Sequence, residues 1–239
     1  SSRKSSRPKS FFFDLGLETI TNRELNEKFD LYQFHLGGSF FQGLSYYLKS
    51  ELGNMKEDDS TLGLGNTELV MLVEWLGSNR RSGNANLGII AGVVLPSSED
   101  GIGHDRNDQV LGVLTEKVFG RLTSSLSAVH YFLGSSEKTS LDEMNKVDTR
   151  FSYSFSGQVK FNLGVSFINT RGLINEGESF SFTEYSPSLT VSLSPSVHMK
   201  LGAKYNSRIL PVTSLKEMKQ WNLSSGVGNS VYTSIGVSL

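Results

Sequence analysis

Eight ionisable residues stand at alternate positions in segments whose other positions are mostly apolar. They are Glu68, Glu74, Asp148, Arg150, Lys160, His198, Lys200 and Lys204. When such side chains line a water-filled channel, they orient polar solutes and set the ion preference of the channel. The same charges can instead pair with one another and fill a narrow channel, and the sequence leaves these two alternatives about evenly balanced.

The four histidines, His35, His104, His130 and His198, are candidates for acid–base chemistry. Some hydrolases use a serine–histidine pair, and His130 with the neighbouring Ser127 suggests such a pair. Nucleophilic catalysis also needs an orienting third group within hydrogen-bond reach. No such triad is recognisable in this sequence, so we predict no catalytic residues and no enzymatic activity.

An acidic segment, EDGIGHDRND at 99–108, surrounds His104 with carboxylates. Oxygen-rich loops hold calcium, but the spacing does not match the twelve-residue calcium-binding loop. We therefore expect a solvated loop here and a charged loop tip at 56–59. The absence of cysteine excludes disulfides and thiolate zinc sites. No metal and no cofactor are expected.

The elements that position these residues are predicted to be β-strands, because apolar and polar residues alternate with a period of two. The clearest segments are 147–157, 159–167 and 197–206. Similar or weaker patterns occur at 11–20, 40–49, 67–75, 86–96, 185–193 and 231–239. The phase is ambiguous at 30–36, 109–119 and 122–133, where a β-bulge would explain the irregular pattern.

The connections between these segments predict the architecture. Tight joints are expected near 37–38, 120, 157–158 and 194–196, and long ones at 50–62, 97–107, 134–146, 171–179 and 206–221, where 215–221 could form a short helix. Alternation of short and long connections is the rule for outer-membrane barrels, with short periplasmic turns and longer external loops. With the intermediate joint at 77–84 placed on the periplasmic side, we predict a single up-and-down antiparallel barrel of about 12 strands over 11–239.

Composition agrees with this class. The formal net charge is -1, which offers no large electrostatic attraction for nucleic acid, so no nucleic-acid partner is expected. No apolar run approaches the roughly 18 residues of a membrane-spanning helix. The basic start, SSRKSSRPKS, is predicted to be a flexible tail at 1–10 of a mature chain whose signal peptide has been removed.

The apolar face of the strands is predicted to contact lipid. Its members are Leu69, Met71, Val73, Phe151, Tyr153, Phe155, Phe161, Leu163, Val165, Phe167, Met199, Leu201 and Leu239. The last strand, VYTSIGVSL, is expected to close the barrel by pairing with the first, because a bilayer leaves no partner for an open edge. Such closing strands usually end in Phe, which Leu239 replaces.

Two stretches resemble the landmarks of a known family. GLGNTEL at 63–69 and GVVLPSSEDGIG at 92–103 are similar to the paired Gly-x-Gly-Asp and Leu-Pro-Thr-Gly patterns of the "meta-pathway of phenol degradation" outer-membrane proteins. Here Asn66 replaces the Asp, Ser97 replaces the Thr, and the glycine follows only at Gly101. The resemblance covers roughly 62–133 and implies a barrel that conducts small molecules, aromatic ones among them.

We therefore predict a monomeric Gram-negative outer-membrane barrel that gives passive or selective passage to a small-molecule solute. Outer-membrane lipid and lipopolysaccharide are its expected surroundings. The alternative is a barrel with a closed lumen and a structural or adhesive role. A membrane-embedded hydrolase and a soluble β-barrel binding protein are less favoured, since the first lacks a catalytic constellation and the second does not explain the alternating connections.

Overall fold

Twelve β-strands make up nearly all of the described chain. This computed structural model describes residues 11–22, 27–41, 43–57, 59–76, 85–96, 104–134, 143–171, 179–209 and 228–239. The strands are β1 (Phe11–Asn22), β2 (Glu27–Phe41), β3 (Leu44–Glu57), β4 (Asp59–Leu76), β5 (Asn86–Leu95), β6 (Asp108–Phe119), β7 (Leu122–Phe132), β8 (Glu143–Ser154), β9 (Val159–Arg171), β10 (Ser179–Ser192), β11 (Val197–Asn206) and β12 (Asn229–Ser238).

The strands form one closed antiparallel barrel, in which each strand pairs with its neighbours in sequence and β12 pairs with β1. The register sets Phe12 opposite Ser238. Two backbone hydrogen bonds between Phe11 and Leu239, of 3.2 and 2.8 Å, continue the closure. Closure leaves no open strand edge, as a bilayer requires. The predicted antiparallel barrel of about 12 strands, closed by the C-terminal strand, is confirmed.

The connections define two ends of the barrel. We call the end that carries the connections 42–43, 77–85, 120–121, 155–158 and 193–196 the turn end. The opposite end, with the connections 23–26, 58, 96–107, 133–142, 172–178 and 207–228, is the loop end. The three longest connections, 96–107, 133–142 and 207–228, all lie at the loop end, which follows the pattern of outer-membrane barrels.

The predicted tight joint at Gly37–Gly38 is wrong, because both glycines lie inside β2. A β-carbon at Gly37 would be 2.5 Å from the ring of Phe12 and 2.9 Å from the carbonyl oxygen of Tyr46. This glycine therefore serves close packing inside the barrel. The turn itself comes later and contains Gly43, whose φ of 91° suits glycine.

The predicted long loop at 50–62 is also wrong. β3 continues to Glu57 and β4 starts at Asp59, so only residue 58 separates them. Because strands pair through their backbones, a hairpin can continue beyond the apolar part of the wall with polar side chains. The sequence around the charged tip at 56–59 is polar, which is why the pattern predicts a loop where the two strands continue.

No bulge explains the segments of ambiguous phase in β2, β6 and β7, where the register of β1 with β2 and of β6 with β7 is continuous. The phase is ambiguous because apolar residues occupy both faces. In β6, Val110 is 4% exposed and points inward, whereas the adjacent Leu111 is 50% exposed on the outer wall. The register shifts lie elsewhere, at Ser39/Phe41, Ser50/Leu52 and Glu74/Leu76.

All described strands, from Phe11 to Ser238, belong to this single barrel. The predicted tail at 1–10 and the predicted short helix at 215–221 lie outside the described residues. Within the described residues, no helix is long and apolar enough to cross a membrane.

Candidate functional site: the barrel lumen

The structure places all eight residues predicted to line a pore on the inner face of the barrel. Glu68 and Glu74 lie on β4, the pair Asp148 and Arg150 on β8, and Lys160 on β9. The other three, His198, Lys200 and Lys204, follow one another along the inner face of β11. Because alternate residues of a strand point to the same side, each strand contributes one inward row to the lumen.

A buried carboxylate at Glu18 organises the middle of the lumen. Glu18 is 1% exposed on β1. Its carboxylate accepts hydrogen bonds from Lys204 Nζ at 2.8 Å, from Gln33 Nε2 at 2.8 Å and from Ser230 Oγ at 2.5 Å. The ammonium group and the two neutral donors satisfy both carboxylate oxygens, which a buried carboxylate needs.

Two further close contacts between ionisable side chains lie nearby. His198 Nε2 is 2.8 Å from Asp14 Oδ1, and Lys49 Nζ is 2.6 Å from Glu51 Oε1. The first pair reaches across β12 at Gly236, where an added β-carbon would collide with both side chains of the pair. These charges therefore pair along the wall, between residues of one strand or of strands two apart.

The interior of the loop end is apolar. Nine apolar side chains at this end, which we call the loop-end layer, are at most 8% exposed: Ile20, Phe29, Leu31, Val94, Val110, Tyr131, Ile168, Phe180 and Phe182. They lie on the inner face of the strands, and Val94, Val110 and Tyr131 contact one another as a cluster. The sequence pattern predicts only polar residues on the inner face and does not reveal this layer.

The chain between β5 and β6 folds against the interior at the loop end. His104, Arg106 and Asp108 are each at most 4% exposed. The backbone N–H of His104 donates to Asn66 Oδ1 at 3.0 Å, and the backbone N–H of Gly134 donates to Asp108 Oδ1 at 3.0 Å. The expected solvated loop is thus wrong for His104, Arg106 and Asp108, which are buried, whereas Asp105 and Asn107 between them are exposed.

The contacts at the loop end show what one residue of the glycine-rich stretch at 63–69 does in the fold. Asn66 is the residue that holds the backbone of His104, and it is 6% exposed. Arg106 Nε donates to Asp108 Oδ1 at 2.9 Å, which ties the same segment together. The stretch at 63–69 is therefore joined directly to the segment that follows the stretch at 92–103.

The turn end of the lumen is open and polar. A cavity of about 530 Å³ lies between the turns that connect β8 with β9 and β10 with β11. Lys160, Thr190 and His198 are among its lining residues. Lys160 and Arg150 are exposed although both face inward. Water therefore reaches the interior of the barrel from this end.

The outer wall carries the thirteen residues predicted to contact lipid. Eleven of them are 39–78% exposed in the isolated chain. The other two, Leu163 and Val165, are less exposed on the same face of β9. Phe151 and Tyr153 on β8 and Phe155 just after it form one continuous row on the outer wall. The ring centres of Tyr153 and Phe155 are 5.1 Å apart.

The structure separates His130 from Ser127. His130 lies on the outer wall, where its Nδ1 is 2.8 Å from Asn145 Oδ1. Ser127 is an odd number of residues away on the same strand and faces the lumen, opposite Asp148. The suggested serine–histidine pair is therefore not formed by these two residues. Within the described residues, no group of three or more His, Asp or Glu side chains could hold a metal ion.

Sequence reasoning misses several interior groups besides the loop-end layer: Asp14, Glu18, Gln33, Lys49, Glu51 and Ser230. A usable signal exists for β1, because Asp14, Gly16 and Glu18 alternate with Leu15 and Leu17. Lys49 and Glu51 alternate in the same manner, but the polar residues that follow them favour a loop.

Several solved structures share this architecture. OmpT expressed in the outer membrane of Vibrio cholerae is 11% identical with a TM-score of 0.50, covering 95% of this chain and 96% of that chain. The β-domain of the Bordetella autotransporter BrkA is 10% identical with a TM-score of 0.49, covering 97% and 99%. A membrane protein crystallised in meso is 14% identical with a TM-score of 0.51, covering 95% and 83%.

At these identities the likeness concerns the fold alone. The chain has the fold of an outer-membrane β-barrel. An outer-membrane location follows from that fold. No family model matches the chain, and no curated protein matches its sequence. The resemblance to the phenol-degradation family stays a prediction.

Proposed function

We propose that this barrel gives small polar solutes selective passage through its lumen, with the loop-end layer as the constriction. The observation that carries the proposal is the exposure of Arg150 and Lys160, which face inward and yet contact solvent. Charged side chains inside a barrel remain hydrated only where water enters the lumen. The hydroxyl-rich cavity at the turn end gives a solute room to enter.

The loop-end layer supports selective rather than free passage. Its nine buried apolar side chains narrow the path at one end, and hydrophobic constrictions gate by excluding water. The ion pair between Glu18 and Lys204 links β1 to β11 across β12. Passage therefore requires these side chains to move, which favours small solutes.

The test is single-channel conductance of the purified protein in a planar bilayer, for the wild type and the Leu31→Ala variant. We expect small, discrete steps for the wild type and larger steps for Leu31→Ala, because Leu31 belongs to the loop-end layer. Leu114→Ala is the matched control, since Leu114 faces the lumen but is only half-buried. Silence of both the wild type and Leu31→Ala, with insertion verified by protease protection, would refute passage.

The second candidate is a barrel with a closed lumen and a structural or adhesive role. The same loop-end layer favours it, because buried apolar side chains resemble a folded core. The two candidates differ in the conductance of Leu31→Ala. A closed structural barrel predicts loss of stability without any current.

A further inference from the structure

The cavity at the turn end has a chemically one-sided lining. Seven of its fourteen lining residues are serine or threonine, and two, Lys160 and His198, are basic. None of the fourteen is Asp or Glu. A concave site with hydroxyl donors and cationic side chains attracts negative charge.

The strand register brings two lysines beside one hydroxyl. Thr190 on β10 lies opposite Lys160 on β9 and opposite Lys200 on β11. Directly opposite residues on one face of a sheet have their β-carbons about 5 Å apart, so the side chains of Lys160 and Lys200 start on either side of Thr190. Neither Lys160 nor Lys200 forms an ion pair with a carboxylate of the described residues. Lys200 Nζ instead lies 5.1 Å from the centre of the Tyr232 ring.

The hydroxyl of Thr190 has a proton to donate. Asn162 Nδ2 donates to Thr190 Oγ1 at 3.2 Å. Because a hydroxyl has one proton and this oxygen already accepts, the proton of Thr190 remains available to a ligand in the cavity. Lys160, Thr190 and Lys200 thus stand side by side on three neighbouring strands and bring two ammonium groups and one hydroxyl to the same part of the inner face.

The other charged groups around the cavity do not cancel this row. Asp14 Oδ1 lies 2.8 Å from Nε2 of His198, two residues before Lys200, and forms no ion pair with Lys160 or Lys200. Glu74 on β4 and Glu116 on β6 face the lumen from the opposite side of the barrel. The wall formed by β9, β10 and β11 at the turn end therefore remains basic.

We propose that Lys160, Thr190 and Lys200 form a binding site for a small oxyanion, a carboxylate or a phosphate. This inference rests on the proposed function and deepens it, since it names the solute class that the lumen selects at its turn end. Hydrogen bonds from ammonium groups to an anion are shorter and stronger than those between neutral groups. Two ammonium groups and one hydroxyl suit an anion with several acceptor oxygens.

The experiment is isothermal titration of the folded barrel in neutral detergent micelles, with inorganic phosphate in one arm and succinate in the other. We expect saturable binding that weakens with added salt, because the attraction is electrostatic. Lys160→Gln and Lys200→Gln should each weaken binding about tenfold, the loss expected for one charge-assisted hydrogen bond. Lys200→Arg should retain most of the affinity, because it keeps the charge.

Lys117→Gln is the matched control. Lys117 lies on the outer wall, with Nζ 5.0 Å from the centre of the Phe119 ring, and its replacement removes the same charge away from the cavity. Absence of saturable binding by the wild type in both arms would overturn the site. Equal affinities of the wild type, Lys160→Gln and Lys200→Gln would overturn it as well. The arm that binds more tightly identifies the carboxylate or the phosphate.

The titration tests the oxyanion site and the conductance measurement tests passage, so the two proposals can fail independently. A barrel that binds the oxyanion but stays silent in the bilayer retains the site and loses the proposed passage. A barrel that conducts but binds neither probe retains passage and loses the oxyanion site.

Discussion

The two ends of the lumen differ in what fills the space enclosed by the strands. At the loop end, nine apolar side chains are buried and the chain at 104–108 is held by hydrogen bonds from backbone N–H groups to the side chains of Asn66 and Asp108. At the turn end, a cavity of about 530 Å³ is lined by hydroxyls and basic side chains. One end resembles the core of a folded protein, and the other resembles a binding surface. A single sheet thus supplies stability at one end and solvent-accessible chemistry at the other.

The difference follows from how many partners each polar group has. Near the middle and the loop end, buried charges such as Glu18 have their hydrogen bonds supplied by the protein. At the turn end, Lys160 is hydrated and lacks an ion-pair partner among the described residues. Substitutions should therefore change stability at the loop end and ligand binding at the turn end.

The largest difference in the cost of a substitution to the free energy of unfolding is expected between two lysines that both face the lumen. Lys204→Met leaves the carboxylate of Glu18 buried without its cation, and loss of one partner of a buried pair costs about 3–5 kcal/mol. Lys160→Met removes an exposed amine, which should change the free energy of unfolding by no more than about 0.5 kcal/mol. Urea unfolding in lipid vesicles, followed by tryptophan fluorescence, measures both.

A double variant sharpens this comparison. Glu18→Gln combined with Lys204→Met removes both charges, so its cost should be smaller than the sum of the two single costs. Additive costs would mean that the pair does not interact. Equal effects of Lys204→Met and Lys160→Met would contradict the contrast between the buried and the open parts of the lumen.

The pairing of Glu18 with Lys204 also marks the limit of what the sequence could predict. In β8, β9 and β11, the alternation of residue types is sufficient to identify both the inner and the outer face. Glu18 and Lys204 are 186 positions apart and meet only because β12 closes the barrel onto β1 with one particular register. Residue types and spacing do not determine that register.

The sequence pattern does not predict the loop-end layer, for a different reason. Period-two reasoning assumes that one face is apolar and the other polar, but at this end both faces are apolar. In β2, Phe29 and Leu31 point inward and are at most 3% exposed, whereas Tyr32 and Phe34 lie on the outer wall. A strand that is apolar on both faces has no readable phase. The ambiguous segments are therefore indications of a packed interior.

Two leucines test the packing of this layer. Leu31 is 1% exposed, and Leu31→Ala should cost about 2–5 kcal/mol, because it leaves a cavity among side chains that cannot collapse fully. Leu114 also faces the lumen but is half-buried, so Leu114→Ala should cost about half as much or less. Unfolding of the wild type and of both variants in vesicles measures the two costs. A cost for Leu114→Ala as large as that for Leu31→Ala would extend the packed region beyond the loop end.

The smallest expected difference in the cost to stability is between substitutions of two asparagines. Asn66→Ala removes the acceptor of the buried His104 N–H, and an unsatisfied buried donor costs about 1–3 kcal/mol. Asn162→Ala removes a donor to hydroxyls near the open end of the lumen, where water can replace it, so its cost should stay below about 1 kcal/mol. Hydrogen exchange of the His104 amide gives a direct readout.

Exchange at His104 separates a local contact from a global loss of stability. If Asn66 holds the segment 104–108, Asn66→Ala should accelerate exchange at His104 more than at the backbone amides of β9, which lie far from this contact along the sheet. Uniform acceleration at every strand would instead mean that Asn66 supports the barrel as a whole. Unchanged exchange at His104 would mean that the segment is held by the bond between Asp108 and Gly134, and the loop end would then be fixed from β6 and β7 rather than from β4.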